Sequence, residues 1–181
     1  MKKTVILAAL AAATAATPAL AQDASAIAGP RLEAVAGYDR INTDGEKDGG
    51  ALFGLGVGYD VPLGAALSVG VDGEASISSA KDEFLPGETI KAGRDLYAGG
   101  RVTMAVSPGA NLYVKGGYTN AKVKYDGSLG DASDNLDGYR LGVGGQLGLG
   151  GKAYVGAEYR YSNYEQDVTR NQVVATVGTR F

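Results

Sequence analysis

The sequence predicts an all-β fold, a transmembrane antiparallel up-and-down β-barrel of eight strands. Three observations predict it. Apolar residues alternate with small or polar ones at period two through eight segments, as in strands with two unlike faces. The connections between these segments run alternately long and short. The face rich in Leu, Val and Ala carries no charge along the middle of any segment, and the opposite face carries many.

The 181-residue chain opens with Lys2 and Lys3, an apolar run from Val5 to Ala16, then Pro18 and Ala19-Leu20-Ala21. A basic start, a short apolar stretch and small residues before a cut describe a secretory signal peptide. Residues 1–21 are read as that leader, cleaved between Ala21 and Gln22, and residues 22–181 as one barrel domain. Beyond the leader no run of ~20 apolar residues occurs, so no spanning helix is expected. An exported chain without such a helix still crosses a membrane if its strands close on themselves.

Residues 22–29 form a short lead-in of small residues. The first strand, Arg31 to Ile41, sets Leu32, Ala34, Ala36 and Tyr38 against Arg31, Glu33, Val35, Gly37 and Asp39. Asn42 to Gly50 is a polar loop rich in turn formers. The second strand, Ala51 to Val61, sets Phe53, Leu55, Val57, Tyr59 and Val61 against Gly54, Gly56, Gly58 and Asp60. Pro62-Leu63-Gly64-Ala65 turns the chain. The third, Ala66 to Ser78, sets Leu67, Val69, Val71, Ala75 and Ile77 against Ser68, Gly70, Asp72, Glu74 and Ser76. Ser79 to Gly93 reads as a long polar loop.

The fourth strand, Asp95 to Val106, sets Leu96, Ala98, Val102, Met104 and Val106 against Asp95, Tyr97, Gly99, Arg101 and Thr103. Ser107-Pro108-Gly109-Ala110 is the second short turn. The fifth, Asn111 to Lys124, sets Leu112, Val114, Gly116 and Tyr118 against Tyr113, Lys115, Gly117 and Thr119. Tyr125 to Leu136 is a third long loop. The sixth, Gly138 to Leu149, sets Tyr139, Leu141, Val143 and Leu147 against Arg140, Gly142, Gly144 and Gln146. Gly150-Gly151 turns into the seventh, Ala153 to Ser162, which sets Val155, Ala157, Tyr159 and Tyr161 against Tyr154, Gly156, Glu158 and Arg160. A loop at Asn163 to Arg170 precedes the eighth strand, which runs through Val173, Ala175, Val177 and Thr179 to Phe181. Each strand is about the ~9–11 residues that cross a bilayer at a tilt. An even count puts both chain ends on the short-turn side.

Alternation alone also fits a soluble barrel. Charge decides, because a charge facing lipid near the midplane costs ~2–4 kcal/mol. The charges on the apolar face, Arg40, Arg94, Lys122 and Lys124, sit at the long-loop ends beyond its aromatic residues. That face is therefore assigned to lipid. Tyr38, Phe53, Tyr118, Tyr139 and Tyr161 fall toward the long-loop side. Tyr59 and Phe181 fall toward the short turns, and Tyr159 shares the face; together these are the candidate interfacial aromatics.

The inward face then carries Arg31, Arg101, Lys115, Arg140, Arg160 and Arg180 with Glu33, Asp39, Asp60, Asp72, Glu74, Asp95 and Glu158. An eight-stranded barrel is only wide enough for side chains to fill. Buried charges left unpaired cost several kcal/mol each, so a packed polar network is expected, with inward glycines leaving room for long Arg and Tyr side chains. Closing the first strand against the last is expected to bring Arg180 near Glu33.

Without the leader the bases fall from 17 to 15 against 20 acids, a net charge of −5, and no basic stripe exists to neutralise a nucleic acid. The absence of Cys and His removes thiolate chemistry, the commonest general base and the commonest metal ligand. Gly54-Leu55-Gly56-Val57-Gly58 lacks the third glycine spacing and the following helix of a dinucleotide loop. Asp126, Asp131 and Asp134 share one loop without the spacing of a Ca²⁺ loop. No catalytic, cofactor or metal site is expected.

On the leader, the eight amphipathic strands, the loop rhythm and the ending Thr179-Arg180-Phe181, the chain resembles the small outer-membrane β-barrel family that includes OmpX, the opacity-type proteins and the barrel domain of OmpA. The resemblance implies residence in a Gram-negative outer membrane, with lipids and lipopolysaccharide as neighbours. It also implies delivery by the barrel assembly machinery through the last strand, and an extracellular ligand for the loops. Barrel enzymes of similar outline, the lipid A deacylases and palmitoyltransferases and the omptin proteases, use an active-site His, which this chain lacks. The expected role is non-catalytic, structural or adhesion-like, with a narrow diffusion channel as the alternative.

Overall fold

The computed structural model describes residues 27–43, 46–79, 81–85, 88–127, 130–165 and 168–181. The leader and its Ala21–Gln22 cleavage point lie outside them, as do the side chains of Lys124, Asp126, Asp131 and Asp134. The strands are β1 (Gly29–Thr43), β2 (Glu46–Pro62), β3 (Leu67–Ser78), β4 (Lys81–Leu85), β5 (Glu88–Ser107), β6 (Ala110–Gly127), β7 (Gly130–Gly150), β8 (Ala153–Tyr164) and β9 (Thr169–Arg180).

Consecutive strands pair antiparallel except β3 and β4, and two further pairings complete the ring. β1 pairs with β9, from Arg31↔Arg180 to Asn42↔Thr169. β3 pairs with β5, from Leu67↔Met104 to Ile77↔Arg94. The result is a closed barrel of eight strands, which leaves no sheet edge around its wall. β4 stands outside this ring: it pairs with β5 alone, beyond the point where β5 leaves β3.

The long connections correct the sequence reading. Asn42–Gly50, Ser79–Gly93, Tyr125–Leu136 and Asn163–Arg170 are expected as loops, yet strand pairing runs into all four. Thr43 pairs with Glu46, Lys81 with Lys91, Gly127 with Gly130 and Asn163 with Thr169. Polar turn formers mark where the chain reverses, but a hairpin already in register continues because each added pair satisfies further backbone groups.

The three short turns need backbone that only glycine adopts easily. Pro108-Gly109 closes Ser107↔Ala110 with Gly109 at φ 80°, which is the Pro-Gly chemistry of a tight turn. Gly150 and Gly151, at φ 95° and 60°, turn β7 into β8. Exposure alternates along much of each ring strand. Leu55, Val57, Val71, Leu141 and Val143 are exposed, while Asp60, Glu74, Arg101 and Arg140 are buried. The apolar side chains thus line the outside of the barrel and the charged ones its interior.

Candidate functional site in the barrel interior

Parity delivers the interior residues. Arg31, Glu33 and Asp39 come from β1, Asp60 from β2, Asp72 and Glu74 from β3, and Asp95 and Arg101 from β5. Lys115 comes from β6, Arg140 from β7, Glu158 and Arg160 from β8, and Arg180 from β9. All but Asp72 are buried as whole residues, and the Asp72 side chain is 7% exposed. They join in three levels.

At the short-turn end, Arg31 pairs with Asp60 and Asp72. Arg180 Nη1 lies 2.7 Å from the same Asp60, and its Nη2 donates to Gln146 Oε1 at 3.0 Å. Glu33 Oε1 accepts from Arg101 at 3.2 Å, Gln146 at 3.1 Å and Tyr154 at 2.8 Å. Arg180 and Glu33 therefore meet through the amide of Gln146, and the carboxylate that pairs with Arg180 is Asp60. The register explains this: Arg31 stands opposite Arg180, and Glu33 stands opposite Gly178.

At mid-height Arg160 holds Glu74 with two parallel bonds of 2.6 and 2.7 Å, the fork geometry that guanidinium and carboxylate share. Its Nε donates to Glu158 at 2.7 Å. Lys115 Nζ lies 3.0 Å from Glu158, and Tyr113 OH donates to Glu158 at 2.7 Å. The Arg101 guanidinium covers the Tyr113 ring at 3.6 Å, linking this level to the one below.

At the long-loop end Asp95 is the hub. Arg140 pairs with it, Arg170 Nη1 lies at 3.0 Å, and Thr119 and Tyr164 donate at 2.7 and 2.9 Å. Arg170 also pairs with Asp39. Above this layer Ala121, Leu136 and Tyr164 form a buried apolar cluster against Val168.

Sequence reasoning missed Arg170, which it left in a loop. The signal was present: Arg170, Gln172, Val174, Thr176, Gly178 and Arg180 share one parity. With Arg170 the described inward charges number seven acids and seven bases. Tyr97, Tyr113, Tyr154 and Tyr164 also belong to the interior. Glycine makes room for two of these rings. Gly144 is paired with Tyr113 and Gly178 with Tyr154, and a Cβ on either would stand within 2.5 Å of the ring. At the short-turn mouth a cavity of about 460 Å³ is bordered by Asn111, Lys152, Tyr154, Arg180 and Phe181.

On the outer face Tyr38, Phe53, Tyr59, Tyr118, Tyr139, Tyr159 and Phe181 are exposed, and Tyr161 is half-buried. Several phenols reach polar partners nearer the long-loop end. Tyr118 OH donates to Asp137, Tyr159 OH to Asn171 at 2.6 Å, and Tyr139 OH accepts from Asn163 at 3.5 Å. Asp137 lies beyond Tyr139, outside the apolar band. Its carboxyl is held below the usual carboxylate range, chiefly by the Tyr118 hydroxyl and then by the Asn120 amide.

A family model described as outer membrane protein beta-barrel domain matches residues 6–181. Among solved structures, Ail of Yersinia pestis, in complex with the heparin analogue sucrose octasulfate, is 20% identical. The match covers 84% of this chain and 99% of that one, with a TM-score of 0.63. Neisserial surface protein A is 16% identical over 84% of this chain and 97% of its own, with a TM-score of 0.67. The N-terminal β-barrel domain of Pseudomonas aeruginosa OprF is 12% identical over 85% and 99%, with a TM-score of 0.57. Comparison with curated protein sequences gives no significant match.

Proposed function

The chain belongs to the outer membrane protein β-barrel domain family, and from that membership we propose a non-catalytic role in surface structure or surface interaction, on a barrel plugged by its own side chains. The chain reaches the outer membrane by export, with the leader cut between Ala21 and Gln22. Barrel assembly machinery reads the strand that ends at Phe181. Membrane lipids and lipopolysaccharide surround the apolar face, between belts of interfacial aromatics.

The observation that carries the plugged lumen is the balance of the interior, seven acids against seven bases tied together from Asp60 to Asp39. Each of these charged residues meets at least one of opposite sign, although single atoms such as Asp60 Oδ1 and Arg101 Nη2 lack a hydrogen-bond partner, and breaking a buried pair strands a charge at low dielectric. Opening a path for solute means separating several of these pairs at once. Recognition then falls to the long-loop hairpins, since loops on a rigid scaffold carry binding. One neighbour of this architecture was solved with a heparin analogue, which supports an extracellular ligand. Here the long connections hold more acids than bases, so a cationic surface suits them better than a sulfated sugar. The interior carboxylates are all engaged by Arg, Lys or hydroxyl donors, which fits structural work better than proton transfer to a substrate.

Planar bilayers test the plug. The folded protein is expected to give no steady single-channel openings. Reproducible openings would replace this reading with a narrow diffusion channel, a reading that the cavity beside Arg180 and Tyr154 favours. Lipid A profiles from cells with and without the protein are expected to match; an acyl-chain difference would restore an enzymatic reading.

A further inference from the structure

The apolar outer face is broken at its long-loop rim by two adjacent cations. Between the pairs Ala92↔Val123 and Asp95↔Ala121 the β5–β6 ladder slips, so Gly93 and Arg94 together oppose Lys122. Such a bulge leaves an extra residue unpaired and re-aims a side chain. The approach is close, for a Cβ on Gly93 would lie 2.6 Å from the Lys122 carbonyl oxygen. Arg94 is exposed in the outward line of Leu96 and Ala98, and half-buried Lys122 lies in the outward line of Asn120 and Tyr118.

The pair sits at the edge of the lipid face. The β3 partner of Arg94 is Ile77, 63% exposed, and the β2 partner of Ile77 is Phe53, 57% exposed. Neither cation has an ion pair among the described residues. Among the described side chains the outward acid on neighbouring β7 is Asp137, which is occupied by Tyr118 and Asn120. Two cations bordering hydrocarbon, with no ion pair among the described residues, are costly unless an anion from the membrane surface meets them. The planar guanidinium and the compact ammonium together suit a phosphate, the first as a fork and the second as a point charge.

We propose that Arg94 and Lys122 form a binding site for a phosphate group of an outer-leaflet glycolipid. The proposal rests on the outer-membrane reading above and deepens it. Among the described side chains, Arg40 is the other exposed outward cation near this rim, and it faces Gly49 and Asn171 with no second described base beside it, so it serves as the control.

Native mass spectrometry of the full chain folded in detergent tests the site with bis-phosphorylated lipid A and its dephosphorylated form as probes. The phosphorylated form is expected to be retained about tenfold better, on the scale of one charge-assisted contact. That preference is expected to vanish in Arg94→Gln/Lys122→Gln, to weaken in Lys122→Gln alone, and to persist in Arg40→Gln. Equal retention of both probes by the unsubstituted protein, or an unchanged preference in the double variant, overturns the proposal. Equal retention of phosphatidylglycerol, or displacement by millimolar inorganic phosphate, overturns the glycolipid assignment in favour of a general anion site. A heat-modifiable band on cold gels reports folding separately, so failure of the barrel reading is distinguishable from failure of the site.

Discussion

Arg31 and Arg180 stand directly opposite each other across the β1–β9 seam, and both hold the same Oδ2 oxygen of Asp60. Like charges opposed across a ladder repel, so the closing seam depends on a carboxylate supplied by β2. Replacing Asp60 by Asn leaves two guanidiniums facing each other in a buried setting. We expect a loss of ~3–5 kcal/mol, the cost of orphaning a buried charge, read as a lower urea midpoint in detergent micelles. Adding Arg180→Gln to Asp60→Asn is expected to recover part of that loss, so the double variant falls short of the sum of the singles.

Gly178 is held by the ring of Tyr154, not by a turn. The two residues are paired, and a Cβ at 178 would lie 2.4 Å from the ring. Gly178→Ala is expected to cost ~1–3 kcal/mol by overpacking, because a ring displaced from this place loses its 2.8 Å bond to Glu33. Outward Gly100 has only a contact at 3.7 Å in the same test. Gly100→Ala is therefore expected to stay within ~0.5 kcal/mol, as ordinary surface changes do. Paired urea titrations separate the two.

The lipid face has a depth scale that substitution reads directly. Val143, 54% exposed, lies along the middle of β7, and Leu149, 63% exposed, adjoins the Gly150–Gly151 turn. Val143→Arg is expected to lose ~2–4 kcal/mol on folding into lipid vesicles, and Leu149→Arg only ~0–1 kcal/mol. Equal, small losses at both positions would identify a face that water covers.

The ring of eight strands was legible because period-two alternation states which face each residue takes, and Leu55, Val57, Leu141 and Val143 follow it. The hairpins beyond the lipid band were not, because turn formers such as Asp44-Gly45 and Gly127-Ser128 mark reversal without saying how far pairing continues. Parity also told which charges point inward, but not who meets whom. Partnership depends on register across non-neighbouring strands: Asp60 lies far from Arg180 in sequence and within 2.7 Å of it in the barrel. Arg170 was lost for a local reason. It follows a polar stretch that resembles a loop and masks the parity it shares with Gln172 and Arg180, whereas its bonds to Asp39 and Asp95, made across the closed lumen, place it in the interior.

Asp137 gives the long-loop rim a defined response to pH. Its Oδ1 accepts from the Tyr118 hydroxyl and, at 2.6 Å, from the Asn120 amide. Both donors favour the charged form, so the folded carboxyl titrates below its ordinary value. A depressed folded pKa means that this anchoring is complete above the unfolded value of about 3.9. It is lost only as pH falls through the lower, folded one. Tyr118 should therefore stay tethered throughout mild acid. Removing its hydroxyl with Tyr118→Phe takes away the largest cause and leaves Asn120. The Asp137 carboxyl resonance, followed by NMR in micelles, is expected to titrate at higher pH in that variant than in the unsubstituted protein. An unchanged titration would mean that the phenol hydrogen-bonds to lipid headgroups or water instead, and that Tyr118 marks the interface through its ring alone.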